Sequence, residues 1–119
     1  MGRFEITFTE NHQYQFVLKA NNGFAILYSN IFADKQTCYA SINAVKMHAQ
    51  QLNNFIKKAT TNENYYFFLN SNDAELIGKS ELYKSESARD NAIYFVKINT
   101  KEATIEDYTT ITEKLWYSA

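Results

Sequence analysis

Phe4, Ile6 and Phe8 alternate with Glu5, Thr7 and Thr9, the period-two pattern of a strand with one buried face. A polar break over 10–13 follows, and then Tyr14, Phe16 and Leu18 alternate with Gln15, Val17 and Lys19. Asn22-Gly23 signals a hairpin, because a type I′ turn needs positive φ at both central residues, and a third strand follows over 25–29. Asp34 can accept the free backbone N–H groups at a helix start. Cys38, Ile42, Val45 and Ala49 then recur at the spacing of one apolar helical stripe, which predicts a helix over 34–49. Residues 50–53 form a short polar connector.

The chain then repeats itself. A displacement of 51 positions takes Phe4 to Phe55, Thr9 to Thr60, Tyr14 to Tyr65, Phe16 to Phe67 and Leu18 to Leu69. It continues without a gap through Ile26/Ile77, Ser29/Ser80, Ile42/Ile93, Val45/Val96 and Lys46/Lys97. The matches fall on positions that face a core or make a turn. Strands are therefore predicted over 54–60, 65–70 and 76–80. A helix capped by Ser85 carries Ala88, Ala92, Ile93 and Val96 towards the sheet, and a last strand covers 103–108. Runs of strands between single helices give an α+β fold with a largely antiparallel sheet and both helices on one face. Two copies are too few for a solenoid, so the units are expected to face each other across a pseudo-twofold axis, as an internal pseudo-dimer in a monomer.

These residues also carry a resemblance. Phe4-Glu5-Ile6, the run from Phe16 to Gly23, Ser80-Glu81-Leu82-Tyr83, the run from Ser87 to Ile93, and Val96-Lys97 are together similar to the signature of the YegP-like family, small bacterial proteins of unknown function. The resemblance covers about 3–109. It implies one domain over 1–109 made of two βββα(β) repeats, about 3–53 and 54–109, with the strand after each helix exchanged between repeats. The strand near Phe55 would close the first unit and open the second. The chain departs from the pattern at Asp73-Ala74, where the family prefers Gly in the second hairpin, and at Ser41 and Ala92, where a Gly usually precedes the helical Ile. Residues 110–119 are an extension beyond the pattern.

The chain has 119 residues, the size of one domain with a core of its own. Its formal charge of −1 removes the electrostatic default for a nucleic-acid or anionic-membrane partner. The one cysteine, Cys38, excludes an internal disulfide and a thiolate zinc cluster. No apolar run is long enough to span a bilayer, and the first residues lack the apolar core of a secretory signal, so the expected compartment is the cytoplasm. His12 and His48 have no second ligand at metal spacing, and three scattered glycines make no phosphate loop. No metal or cofactor is expected, and no catalytic residue is assigned.

Two readings of function remain. Alternation places Val17, Leu27, Ile56, Tyr66 and Phe68 on the sheet face away from the helices, where an antiparallel sheet should be polar. Either the extension, with Leu115, Trp116 and Tyr117, folds over this band, or the band and Trp116 meet a protein partner. This favours a non-enzymatic interaction module. The alternative is a small anionic-ligand binder or enzyme near Ser80, Tyr83, Arg89 and Lys97, because Arg89 is the repeat counterpart of Cys38 and falls on the sheet-facing stripe. A structural ion pair of Arg89 with Glu81 or Asp90 is the plainer account of that charge.

Overall fold

A computed structural model describes residues 2–109. The chain forms β1 (Arg3–Phe8), β2 (Tyr14–Lys19), β3 (Ala25–Tyr28), α1 (Lys35–His48), a 3₁₀ turn (Leu52–Asn54), β4 (Phe55–Ala59), β5 (Tyr65–Asn70), β6 (Leu76–Ser80), α2 (Glu86–Asn99) and β7 (Thr104–Asp107). Asp34 caps α1 by accepting from the Thr37 N–H at 2.7 Å, and Ser85 caps α2 from the Ala88 N–H at 3.0 Å. The strands make one seven-stranded sheet in the order β4-β5-β6-β3-β2-β1-β7. Every neighbouring pair is antiparallel except β1 and β7. The strand after each helix does lie in the other repeat's half of the sheet, β4 against β5 and β7 against β1.

The two halves share one register. Phe4 faces Leu18 and Ile6 faces Phe16; their counterparts Phe55 and Lys57 face Leu69 and Phe67. Each β2–β3-type ladder slips at the same place, after Leu18 and after Leu69. Phe16 and Phe67 are both fully buried, and each donates its N–H to a serine hydroxyl, Ser29 and Ser80 respectively, at 2.8 Å. Phe4 meets Phe16 edge-on at 5.5 Å, as Phe55 meets Phe67 at 5.6 Å.

The halves meet where β3 pairs with β6, Leu27 opposite Ser80 and Tyr28 opposite Lys79. Tyr28 and Lys79 are repeat counterparts, so the pseudo-twofold axis passes between them. Leu27 and Gly78 are also counterparts and flank that axis on the helix side. Only one side chain fits there: a Cβ on Gly78 would come within 2.9 Å of Leu27 Cγ and Cδ2. Leu27, expected on the outward face, is thus corrected. It pairs with Leu18, cross-strand partners share a face, and it is fully buried in the core beneath the helices. The bulge after Leu18 breaks the alternation on which the outward placement rested.

The hairpins differ from expectation in one respect. Among the described residues of the first β2–β3 turn, only Gly23 has positive φ (88°), and its N–H donates to the Ala20 carbonyl at 2.9 Å. This is a turn closed by a left-handed glycine, not a type I′ turn. Ala74, the counterpart of Gly23, holds φ at 63°, a conformation that strains a residue bearing Cβ.

Two outcomes test this picture. Ala74→Gly should raise stability by about 1 kcal/mol, measured by urea unfolding. Gly78→Leu alone should overpack the axis and cost at least about 1–3 kcal/mol, and Leu27→Gly alone should cost about 3–5 kcal/mol. The exchanged double variant should recover much of both losses; additive losses would show that the two positions are not equivalent.

Candidate interaction face

Pairing partners share a face, so the registers place one row of outward side chains across the sheet: Glu106, Glu5, Val17, Tyr28, Lys79, Phe68 and Ile56. The row changes character along its length. In the first repeat it is ionic. Glu5 accepts from Arg3 Nε at 2.7 Å and Lys19 Nζ at 2.9 Å. Burial pushes the Glu5 carboxyl up, but the hydrogen bonds from Lys19 and Arg3 outweigh this and hold it below its usual range. In the second repeat the counterparts of Arg3, Glu5, Gln15, Val17 and Lys19 are Asn54, Ile56, Tyr66, Phe68 and Asn70, and the row becomes aromatic.

Phe68 sits at the centre of this half. Tyr66 meets it edge-on at 5.6 Å, and the ammonium groups of Lys58 and Lys79 lie 5.7 and 5.9 Å from its ring centre. Val17, Ile56, Tyr66 and Phe68 are half-buried. Tyr28 donates its hydroxyl to Glu81 at 2.5 Å; burial, reinforced by that carboxylate, pushes its phenol up to about 12. The band is therefore apolar at its centre and cationic at its rim. Trp116, assigned to the same face, lies outside the described residues.

Of the four residues of the alternative site, Arg89 and Tyr83 both meet Tyr65, while Lys97 stands further along α2. Ser80 accepts from the Phe67 N–H and donates to the Glu81 carbonyl at 2.8 Å, as Ser29 does in the first repeat. Arg89 is buried and engaged: Nε donates to Asp90 at 3.1 Å, Nη1 donates to the Lys58 carbonyl at 3.1 Å, and Nη2 lies 3.9 Å from Glu86. Its guanidinium stacks 5.5 Å above Tyr65. Lys97 follows two helical turns later, about 12 Å along the axis. Tyr83 bridges Tyr65 as Phe32 bridges Tyr14. Its hydroxyl is buried with no hydrogen-bond partner among the described residues, and burial, with Glu81 nearby, pushes the phenol up to about 12.

Cys38 is buried, and burial followed by the charge of Asp107 pushes its thiol up to about 11; a thiol held protonated is a poor nucleophile. Among the described residues, no group of three His, Cys, Asp or Glu side chains could hold a metal ion, and no helix is long and apolar enough to cross a membrane. Tyr28, Lys58 and Lys79 were not singled out from the sequence. Alternation alone puts Lys58 beside Tyr66, but Lys79 and Tyr28 join them only through the β3–β6 pairing, which no local pattern encodes.

The comparisons agree with this geometry. Residues 10–55 and 61–107 each match a domain of unknown function, DUF1508. The chain belongs to the DUF1508 family. It is similar to the UPF0339 protein YegP of Escherichia coli K12, with 33% identity over 108 residues, covering 91% of this chain and 98% of that protein. A UPF0339 protein of Shewanella oneidensis is 36% identical over 108 residues, with the same coverage of 91% and 98%. The solution NMR structure of a UPF0339 protein from Shewanella oneidensis superposes with a TM-score of 0.84 at 36% identity, covering 89% of this chain and 90% of that one. That of YegP from E. coli gives 0.83 at 33% identity, covering 90% and 92%. The YegP-like resemblance and the α+β tandem-repeat fold are thus shown, in a family whose function is unknown.

Tyr83 offers a direct test. Its counterpart Phe32 stacks on Phe16 without a hydroxyl, so Tyr83→Phe should remove an unsatisfied buried group and stabilise the fold by about 1 kcal/mol. A phenol whose folded pKa is raised contributes stability that is intact below its unfolded value near 10 and is lost as pH rises through the folded value of about 12. Urea midpoints should therefore fall between pH 10 and 12 in the wild type, and less steeply in Tyr83→Phe.

Proposed function

We propose that this DUF1508 protein is a non-enzymatic interaction module, acting in the cytoplasm as a monomer, that binds a protein partner through the outer sheet face of its second repeat. The observation that carries this reading is Phe68, held between Lys58 and Lys79 with Tyr66 against its edge. Val17, Ile56 and Tyr28 extend the same surface. Aromatic groups that are half-buried yet face outward contribute binding area with little loss of side-chain freedom. Two lysines at the rim favour a partner with carboxylates around an apolar contact. The first repeat supports the reading by contrast: the same positions there satisfy one another as the Arg3–Glu5–Lys19 ion cluster and leave less to offer a partner.

The experiment is a pull-down from cytoplasmic extract with the full chain and with Tyr66→Ser/Phe68→Ser. Both substitutions lie on the outward face, so helix content and thermal stability should change little. A partner of the wild type should be lost from the variant and weakened by added salt, which screens the lysine contribution. An unchanged partner profile would remove the proposal. Truncating the chain after Thr109 asks whether residues 110–119 compete for the face: tighter binding would mean that they do.

A further inference from the structure

The second repeat has a place for a strand that the first repeat fills and the second leaves open. β7 runs parallel along the outer edge of β1, Phe4 facing Ile105 and Ile6 facing Asp107. Contacts of several kinds hold it beneath α1, among them the Lys35–Asp107 ion pair at 3.3 Å. Ile105 packs on the core, Tyr39 Oη donates to Asp107 Oδ2 at 3.1 Å, and Lys46 Nζ donates to the Ala103 carbonyl at 2.8 Å. The same position in the second repeat is the outer edge of β4, where the sheet formed by the described residues ends.

A cleft of about 370 Å³ lies there, lined by Leu52, Phe55, Lys57, Asp90, Ile93 and Tyr94. Phe55, Lys57, Asp90 and Ile93 are the counterparts of Phe4, Ile6, Tyr39 and Ile42, the residues around β7. Leu52 and Tyr94 stand at its mouth, 49% and 55% exposed. Lys97, the counterpart of Lys46, has no hydrogen-bond or ion-pair partner among the described residues.

We propose that this cleft binds an extended peptide segment of another protein, laid parallel to β4 as β7 is laid along β1. An aliphatic side chain fills the place of Ile105 over Phe55 and Ile93, and Lys97 donates to the backbone carbonyl two residues before it. This is strand addition at an open sheet edge, where main-chain hydrogen bonds give affinity and alternate side chains give selectivity. Residues 110–119 are unfavourable occupants: β7 lies at the opposite edge, about 34 Å away at one strand spacing per step, which is nearly the full extended reach of ten residues. A second copy is disfavoured as well, because two β4 edges would bring Lys57 and Lys58 against their equals. Where Tyr39 and Lys35 receive Asp107, the second repeat presents Asp90, already paired with Lys57 at 3.3 Å and with Arg89 at 3.1 Å, so the occupant needs no charge there and carries an uncharged side chain.

The test uses the full chain and two synthetic peptides: residues 102–109 of this chain, and the same peptide with Asp107→Asn. In an NMR titration binding should shift amides of β4 and α2, and Asp107→Asn should not weaken it, because the acid meets no free partner there. Lys97→Met should weaken it about tenfold, and Leu52→Asp/Tyr94→Asp should abolish it with the fold intact. Tyr66→Ser/Phe68→Ser should leave it unchanged, which separates this edge from the proposed face. Shifts confined to β1, or no shifts with either peptide, would overturn the proposal.

Discussion

A chain that folds as two copies of one unit must meet itself at its own axis, and that contact is the constraint on which the rest of this structure depends. Residues near a twofold axis pack against their own counterparts, so identical large side chains there compete for one space. The chain resolves this by breaking the repeat at those positions. Leu27 crosses the axis and Gly78 receives it, at a distance that leaves no room for a second Cβ. On the other face Tyr28 meets Lys79. Away from the axis the copies are free to stay alike, and they do, in the Phe16/Ser29 and Phe67/Ser80 hydrogen bonds, the bulges and the caps.

Divergence elsewhere follows the same logic of what each surface must satisfy. Most helix-side positions of the two halves remain apolar because they share one core. The exceptions at Ile6/Lys57 and Cys38/Arg89 are accommodated: Lys57 pairs with Asp90 at 3.3 Å, and the guanidinium reaches Asp90, Glu86 and a backbone carbonyl near the sheet edge. On the outward face nothing imposes likeness. There an ion cluster around Glu5 in one half has become an aromatic cluster around Phe68 in the other. A self-satisfied ionic surface is costly to desolvate, whereas a half-buried aromatic one gains from contact. The fold thus carries one ionic half and one aromatic half on its outward face.

Much of this was legible in the sequence, and the limits have physical causes. Period-two and helical spacing located every strand and both helices, because each buries one face and the repeat doubles the signal. Outward placement held for Val17, Ile56, Tyr66 and Phe68, which lie on strands whose alternation runs unbroken. It failed at Leu27, where a bulge shifts the phase, and the clue was the mismatch with Gly78 in an otherwise well-matched repeat. Ser80, Tyr83, Arg89 and Lys97 recur or stand out in the sequence, but side-chain convergence is a three-dimensional property, and α2 carries Lys97 two turns away from Arg89. The flanking of Phe68 by Lys79 needed the β3–β6 pairing, a contact between residues 51 and 53 positions apart in sequence that join only when the two units dock.

The arithmetic of the repeat also accounts for the open edge. Each unit ends in a strand after its helix, and each unit needs a first strand of its own. In a tandem pair the strand after α1 is β4, which serves as the first strand of the second unit. The strand after α2 is β7, which flanks β1. Among the described residues, two repeats therefore create two flanking positions and supply one strand to fill them. The open place beside β4 follows from that connectivity, and the exposed Lys57 and Lys58 on β4 oppose edge-to-edge pairing with a second copy.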